Sequence, residues 1–279
     1  MGFSNFWQNY NGKNLDYLPG SIYIGMIMES FGMPYETVLK SFNFLVALVF
    51  VAVIHRVHKN WQITLAVYLV PAEWFISTYW GQTDTWWVFL IYLSLVALFQ
   101  KNKIVISAMI LAIAISLKLQ PVIFLPVFGW YFWKKRNWQG LKNFIIFLGL
   151  TWFVINLPAL HANLELTINV YTQSFLRPDV LSSGAYGLWT WFSGIDPKFA
   201  SSLGTILFVG IMSWLFSKAK VVNLRSALYL AMMLNLTYFL FMTKMHSRYA
   251  HLAAIFSVIV ATTNLGSIGL NIAYLVNQI

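Results

Sequence analysis

The sequence predicts an all-α polytopic membrane protein of about nine or ten transmembrane helices, and three observations carry that reading. Apolar residues make up 59% of the 279 and charged ones 9%, with a mean hydropathy of +0.68, whereas a soluble domain carries roughly one-quarter charged residues. Apolar runs such as 45–54, 104–117 and 144–157 recur along the whole length, so residues 1–279 read as a single transmembrane domain. Basic residues gather in short connectors between those runs, as His55-Arg56-Val57-His58-Lys59, Lys101-Asn102-Lys103, Lys134-Lys135-Arg136 and Lys218-Ala219-Lys220, which is the habit of cytoplasmic loops. The net charge of +10 therefore reports topology, and its placement argues against a nucleic-acid partner.

Taken in order, the chain opens with a polar and aromatic stretch that lacks the apolar core of a signal peptide, so it starts on the outer side or is incomplete. The apolar stretch 22–28 that follows is too brief to cross and reads as a re-entrant or interfacial helix. Spanning helices follow at 41–55, 61–79, 85–100, 104–117, 121–133, 143–159, 202–217, 227–243 and 249–265, with a weaker run at 267–277. The stretch 104–133 is long for one span, and a break at Lys118-Leu119-Gln120-Pro121 keeps both flanking basic connectors on one side of the membrane. In 160–201, Trp189, Trp191 and Phe192 alternate with polar residues, as in a segment lying along the interface.

With the basic connectors inside, residues 1–40, 80–84, 118–120, 160–201 and 244–248 face outward. Eleven cations are then inside (Arg56, Lys59, Lys101, Lys103, Lys134, Lys135, Arg136, Lys142, Lys218, Lys220 and Arg225) and no acid is. Asp16, Glu29, Glu36, Asp84, Glu165, Asp179 and Asp196 are outside, and Glu73 lies within a helix about 10 Å deeper than Trp80 by helical rise. This localisation is a multi-pass protein of a plasma membrane with its unusual polar groups on the outer face.

Four segments concentrate those groups. Trp80-Gly81-Gln82-Thr83-Asp84-Thr85-Trp86-Trp87 is a very short turn with a carboxylate and an amide at the membrane edge, either a solvated turn between belt tryptophans or a site with Asp84 facing a cavity open to the outer side. At Lys118-Leu119-Gln120-Pro121, an ammonium lies beside a helix start opened by proline, a place for a phosphate or a snorkelling lysine. Lys244-Met245-His246-Ser247-Arg248-Tyr249 sets three potential cations in five residues on the outer side with no acid adjacent, against the positive-inside preference, which an anionic ligand would explain. Asp16-Tyr17-Leu18-Pro19-Gly20 precedes the short apolar stretch. Arg177 and Asp179 pair most simply with each other, and Glu165 and Asp196 read as solvated loop charges. Cysteine is absent and the five histidines are scattered, which removes disulfides and thiolate chemistry and argues against structural zinc.

These motifs resemble those of polytopic glycosyltransferases of the GT-C superfamily, especially bacterial membrane mannosyltransferases related to the GPI mannosyltransferase group. The likeness covers most of the chain. It rests on WGQTD at 80–84, LKLQP at 117–121 with a second proline at Pro126, KMHSRY at 244–249, similar to that group's KMHERY, and LDYLP at 15–19, similar to a DYPP-type segment. The chain departs from the pattern in Ser247, where the group carries Glu, and in lacking the first transmembrane helix and the acidic start of the first outer loop. The resemblance implies a GT-C-like fold and transfer of a sugar, mannose among the candidates, from a polyprenyl-phosphate donor to an acceptor outside the cytoplasm of a bacterium. It implies Asp84, and after it Asp16, as the base that takes the acceptor proton. Lys118, His246 and Arg248 would hold the lipid phosphate, with Gln82, Gln120, Lys244 and Tyr249 lining the substrate site. Donor and membrane lipids are the partners implied. The resemblance implies no particular cofactor, and a divalent metal stays open.

Two other classes fit the same census. In a transporter or lipid flippase, Glu73, Asp84 and Lys118 would line a path or relay protons, but the cytoplasmic halves are apolar, which favours chemistry on one side. A non-catalytic relative of the glycosyltransferases is the third reading.

Overall fold

The computed structural model describes residues 18–30, 32, 34–70, 74–175, 180–182, 184–185, 187–192 and 194–261. Asp16, Glu73, Arg177, Asp179 and the run 267–277 lie outside the described residues. The chain divides into two compact units, Met1–Leu39 with Phe89–Arg177 and Lys40–Val88 with Pro178–Ile279. Every regular element among the described residues is helical. Four helices are long and apolar enough to cross a membrane, Glu36–His58, Trp138–Ala162, Pro197–Lys218 and Leu224–Phe241. They expose many large apolar side chains, Val49, Ile145, Val154 and Ile206 among them, which suits lipid as solvent because a helix satisfies its own backbone there.

In the first unit, α1 (Pro19–Glu29) starts with proline at its first turn, where a missing N–H costs nothing. A β-carbon on Gly20 would lie 2.6 Å from the Ser116 carbonyl oxygen, so glycine is what lets α1 reach the end of α5 (Ile104–Leu117). Ser21 donates to the Leu117 carbonyl there at 2.6 Å. The second half of α4 (Asp84–Phe99) is tied to α5 by a reciprocal pair, Ser94 Oγ to the Ser107 carbonyl and Ser107 Oγ to the Ser94 carbonyl. Small buried residues, Ser107, Ala108, Ala112 and Ala114, let α5 approach its neighbours closely. The break expected at Lys118 is present: Lys118 is extended, and a 3₁₀ turn (Gln120–Phe124) carries Pro121 into α6 (Leu125–Lys135), which opens on Pro126.

Long α7 (Trp138–Ala162) begins five residues before the apolar run because Asn137 caps it, accepting from the Gly140 N–H at 2.8 Å. Only Asn163 separates it from α8 (Leu164–Phe175), and its side chain caps α8 at the Leu166 N–H. Helix α8 lies in the stretch 160–201, where the apolar runs predict no helix. Its apolar residues do not form a run; Leu166, Thr167, Val170 and Tyr171 turn inward at helical spacing, while Leu164 and Ile168 are exposed. Val170 packs with Leu18, Ile22 and Ala159. The Tyr171 hydroxyl accepts from Trp152 Nε1 and donates to Asn156 Oδ1, and burial pushes this phenol above the usual tyrosine range.

The second unit contains most of α2 (Tyr35–His58), then α3 (Trp61–Tyr68), whose cap Asn60 accepts from the Gln62 and Ile63 N–H groups. The helix expected at 61–79 is interrupted: α3 ends at Tyr68, and Trp74–Tyr79 is a single wide π turn. Helices α9 (Pro197–Lys218), α10 (Leu224–Phe241) and α11 (His251–Ala261) complete it, α11 being preceded by a 3₁₀ turn, Ser247–Ala250. Gly204 brings α9 against the Phe241 carbonyl, which a β-carbon would strike. Asn235, buried in α10, donates to the Tyr249 carbonyl and accepts from the Ala253 N–H, both at 3.0 Å. That one amide fixes the start of α11 and the segment before it.

Candidate functional site

The site is built where two sequence segments meet. The π turn leads through Gly81, whose φ of +74° is a left-handed conformation that glycine adopts without strain, into Gln82 and Thr83 and then α4. Asn43, fully buried in α2, donates to the Ser77 carbonyl at 2.7 Å and to the Gln82 carbonyl at 3.2 Å, holding both sides of that turn. The side chain of Lys40 packs over Gly81. Asp84 is the first residue of α4, where the unpaired N–H groups of the helix favour a carboxylate.

Gln82 and Asp84 face Arg248 from 166 and 164 positions away in sequence. Arg248 Nη1 donates to Gln82 Oε1 at 2.6 Å, and Arg248 Nε lies 3.9 Å from Asp84 Oδ2. Trp87 Nε1 donates to Asp84 Oδ1 at 3.0 Å. The Asp84 side chain is 0% exposed and that of Arg248 13%. An isolated carboxylate would be strongly destabilising in such a place, and the guanidinium is a charge that helps to compensate it. The expectation that Asp84 faces an outward-open cavity is therefore corrected: the first turn of α4 packs inward, Trp86 and Trp87 are buried beside it, and Arg248 closes over the carboxylate.

Around this core, the His246 ring lies between Trp80 and Tyr249, with centroids 6.4 and 6.0 Å away. Lys244 has a left-handed φ of +64°, and its N–H donates to the Val180 carbonyl at 3.2 Å. Tyr249 is buried and pinned by Asn235. Lys118 and Gln120 belong to the first unit, where Lys118 is 8% exposed and ends α5. Asp16 is outside the described residues. Thus Gln82, Asp84, Lys244, His246, Arg248 and Tyr249 share one compact unit, and Lys118 and Gln120 belong to the other.

Sequence reasoning missed Asn43, Asn235 and His251. His251 is fully buried, with Nε2 3.4 Å from Thr85 Oγ1. Each is a polar residue within or at the edge of an apolar run, which is itself a signal. Among the described residues, no group of three or more His, Asp or Glu is placed to hold a metal ion. Arg248 is hydrogen-bonded to an amide and faces a carboxylate, and a planar guanidinium fork is a group that suits phosphate. No protein-family model matches this sequence, and no curated protein matches it either.

Proposed function

We propose that the protein is a membrane glycosyltransferase that moves a sugar from a polyprenyl-phosphate donor to an acceptor on the extracytoplasmic side of a bacterial plasma membrane. The observation that supports this most is the Gln82–Arg248–Asp84 cluster, since it joins two of the motifs on which the family resemblance rests. In the reaction, an acceptor hydroxyl oxygen bonds to the anomeric carbon. The bond from that carbon to the phosphate oxygen breaks, its electron pair stays with the phosphate, and the hydroxyl proton passes to a carboxylate. Arg248, with His246 and Lys244 from the same segment, holds the departing phosphate. Asp84, the first candidate for that carboxylate, faces Arg248 across 3.9 Å.

The test is turnover of polyprenyl-phosphate mannose labelled in the sugar, in membranes containing the protein. Arg248→Ala should lower the rate on the order of 10²-fold or more, the scale of losing one donor to the developing charge. Asp84→Asn should lower the rate as well. Equal turnover by the wild type and Arg248→Ala would overturn the proposal. The burial of Asp84 favours one rival reading, a structural clamp in a non-catalytic membrane protein. In that case both substitutions would lower stability while membranes with and without the wild-type protein released label equally.

A further inference from the structure

A second polar locus lies at the other end of the same unit. His58, Ile63, Arg225, Leu228, Ile259 and Val260 line a cavity of about 220 Å³, below the roughly 300 Å³ at which drug-sized sites begin. Two of the six lining side chains carry cationic or donor nitrogens, four are apolar, and none is acidic. Arg225 is exposed yet oriented, its Nη2 donating to the Val260 carbonyl at 3.3 Å. His58 closes the last turn of α2 beside Arg56, with Lys59 next in the chain.

Three helices link this cavity to the Gln82–Asp84–Arg248 cluster and set the two apart. Helix α2 carries Asn43 at one end and His58 at the other, and α10 carries Asn235 and Arg225. From Arg248 to Val260 is twelve residues, about 18 Å at helical rise. The cluster and the cavity therefore occupy opposite ends of the unit, and the cavity lies among the basic connectors expected in the cytoplasm.

We propose that this cavity binds a phosphate group, with Arg225 and His58 contacting its oxygens and the four apolar side chains receiving the carbon attached to it. Cationic pockets between helices at the basic end of a membrane protein are suited to anionic headgroups. A cavity of this size holds a headgroup or a free phosphate ion but not a whole lipid. The inference is independent of the sugar-transfer reading.

Native mass spectrometry of the full chain, released from phosphatidylcholine nanodiscs doped with phosphatidylglycerol, tests it. The wild type should retain phosphatidylglycerol over phosphatidylcholine, and Arg225→Gln should weaken retention on the order of tenfold, the scale of a hydrogen bond to a charged group. Lys218→Gln, an exposed basic residue outside the cavity, should change nothing. Arg225→Lys, which keeps the charge and stem, should lose less than Arg225→Gln and guards against a folding artefact. In a second arm, inorganic phosphate that binds with the same Arg225 dependence, while the two lipids are held equally, would identify a free ion as the source and still support the site. Equal retention of both lipids with no Arg225-dependent phosphate binding, or an equal loss in Lys218→Gln, would overturn it.

Discussion

The Asp84–Arg248 pair can be weighed by a double-mutant cycle. At 3.9 Å between Nε and Oδ2, two unit charges attract by about 4 kcal/mol at an effective dielectric of 20. Part of this is lost to solvent because Arg248 retains some exposure, whereas Asp84 retains none. Arg248→Met removes the guanidinium that faces a buried carboxylate and should destabilise the protein by about 3 kcal/mol. Asp84→Asn keeps an oxygen for Trp87 and removes the charge that Arg248 faces, and should cost about 1–2 kcal/mol. The double variant leaves neither charge stranded, so its loss should fall short of the sum by about 1–3 kcal/mol. Unfolding in mixed detergent micelles, followed by tryptophan fluorescence, reads all four proteins. Additivity within about 0.5 kcal/mol would refute the claim that the pair is coupled.

Three further outcomes follow from the same geometry. Gly204→Ala sets a β-carbon against the Phe241 backbone carbonyl and should destabilise by about 1–3 kcal/mol, visible as a lower Tm in detergent. Asn235→Leu strands the Tyr249 carbonyl and the Ala253 N–H and should cost about 2–3 kcal/mol on the same scale, with loss of any function that depends on Arg248. The chain has no native cysteine, so single cysteines report topology directly: in intact cells a membrane-impermeant maleimide should label Thr83→Cys and spare Lys135→Cys, and the reverse pattern would invert the expected orientation.

Much of the helical order was legible because continuous apolar runs and basic connectors are strong, local signals. The break at Lys118 could be read from charge placement and two prolines, and the structure has it. Helix α8 could not be read the same way, since its inward face is built from Thr167 and Tyr171 as well as Val170, and a search for apolar runs passes over an amphipathic helix. The interruption after Tyr68 has no sequence signal stronger than Pro71. Within the site, residue types on either side of a turn suggested that Gln82, Asp84 and Arg248 matter. Their mutual contact is a long-range fact, set by Asn43 and Asn235, that no local pattern encodes. Nor does composition tell whether a carboxylate at a membrane edge points outward or, as Asp84 does, inward onto a guanidinium.

Donor binding tests the central claim most directly. The protein in nanodiscs should bind a fluorescent polyprenyl-phosphate sugar, with polyprenyl phosphate competing and the corresponding polyprenyl alcohol failing to compete. Arg248→Ala should raise the Kd by about tenfold or more, the loss of one hydrogen bond to a charged group. Equal competition by the alcohol, or an unchanged Kd in a folded Arg248→Ala protein, would contradict the assignment of this cluster to the donor phosphate.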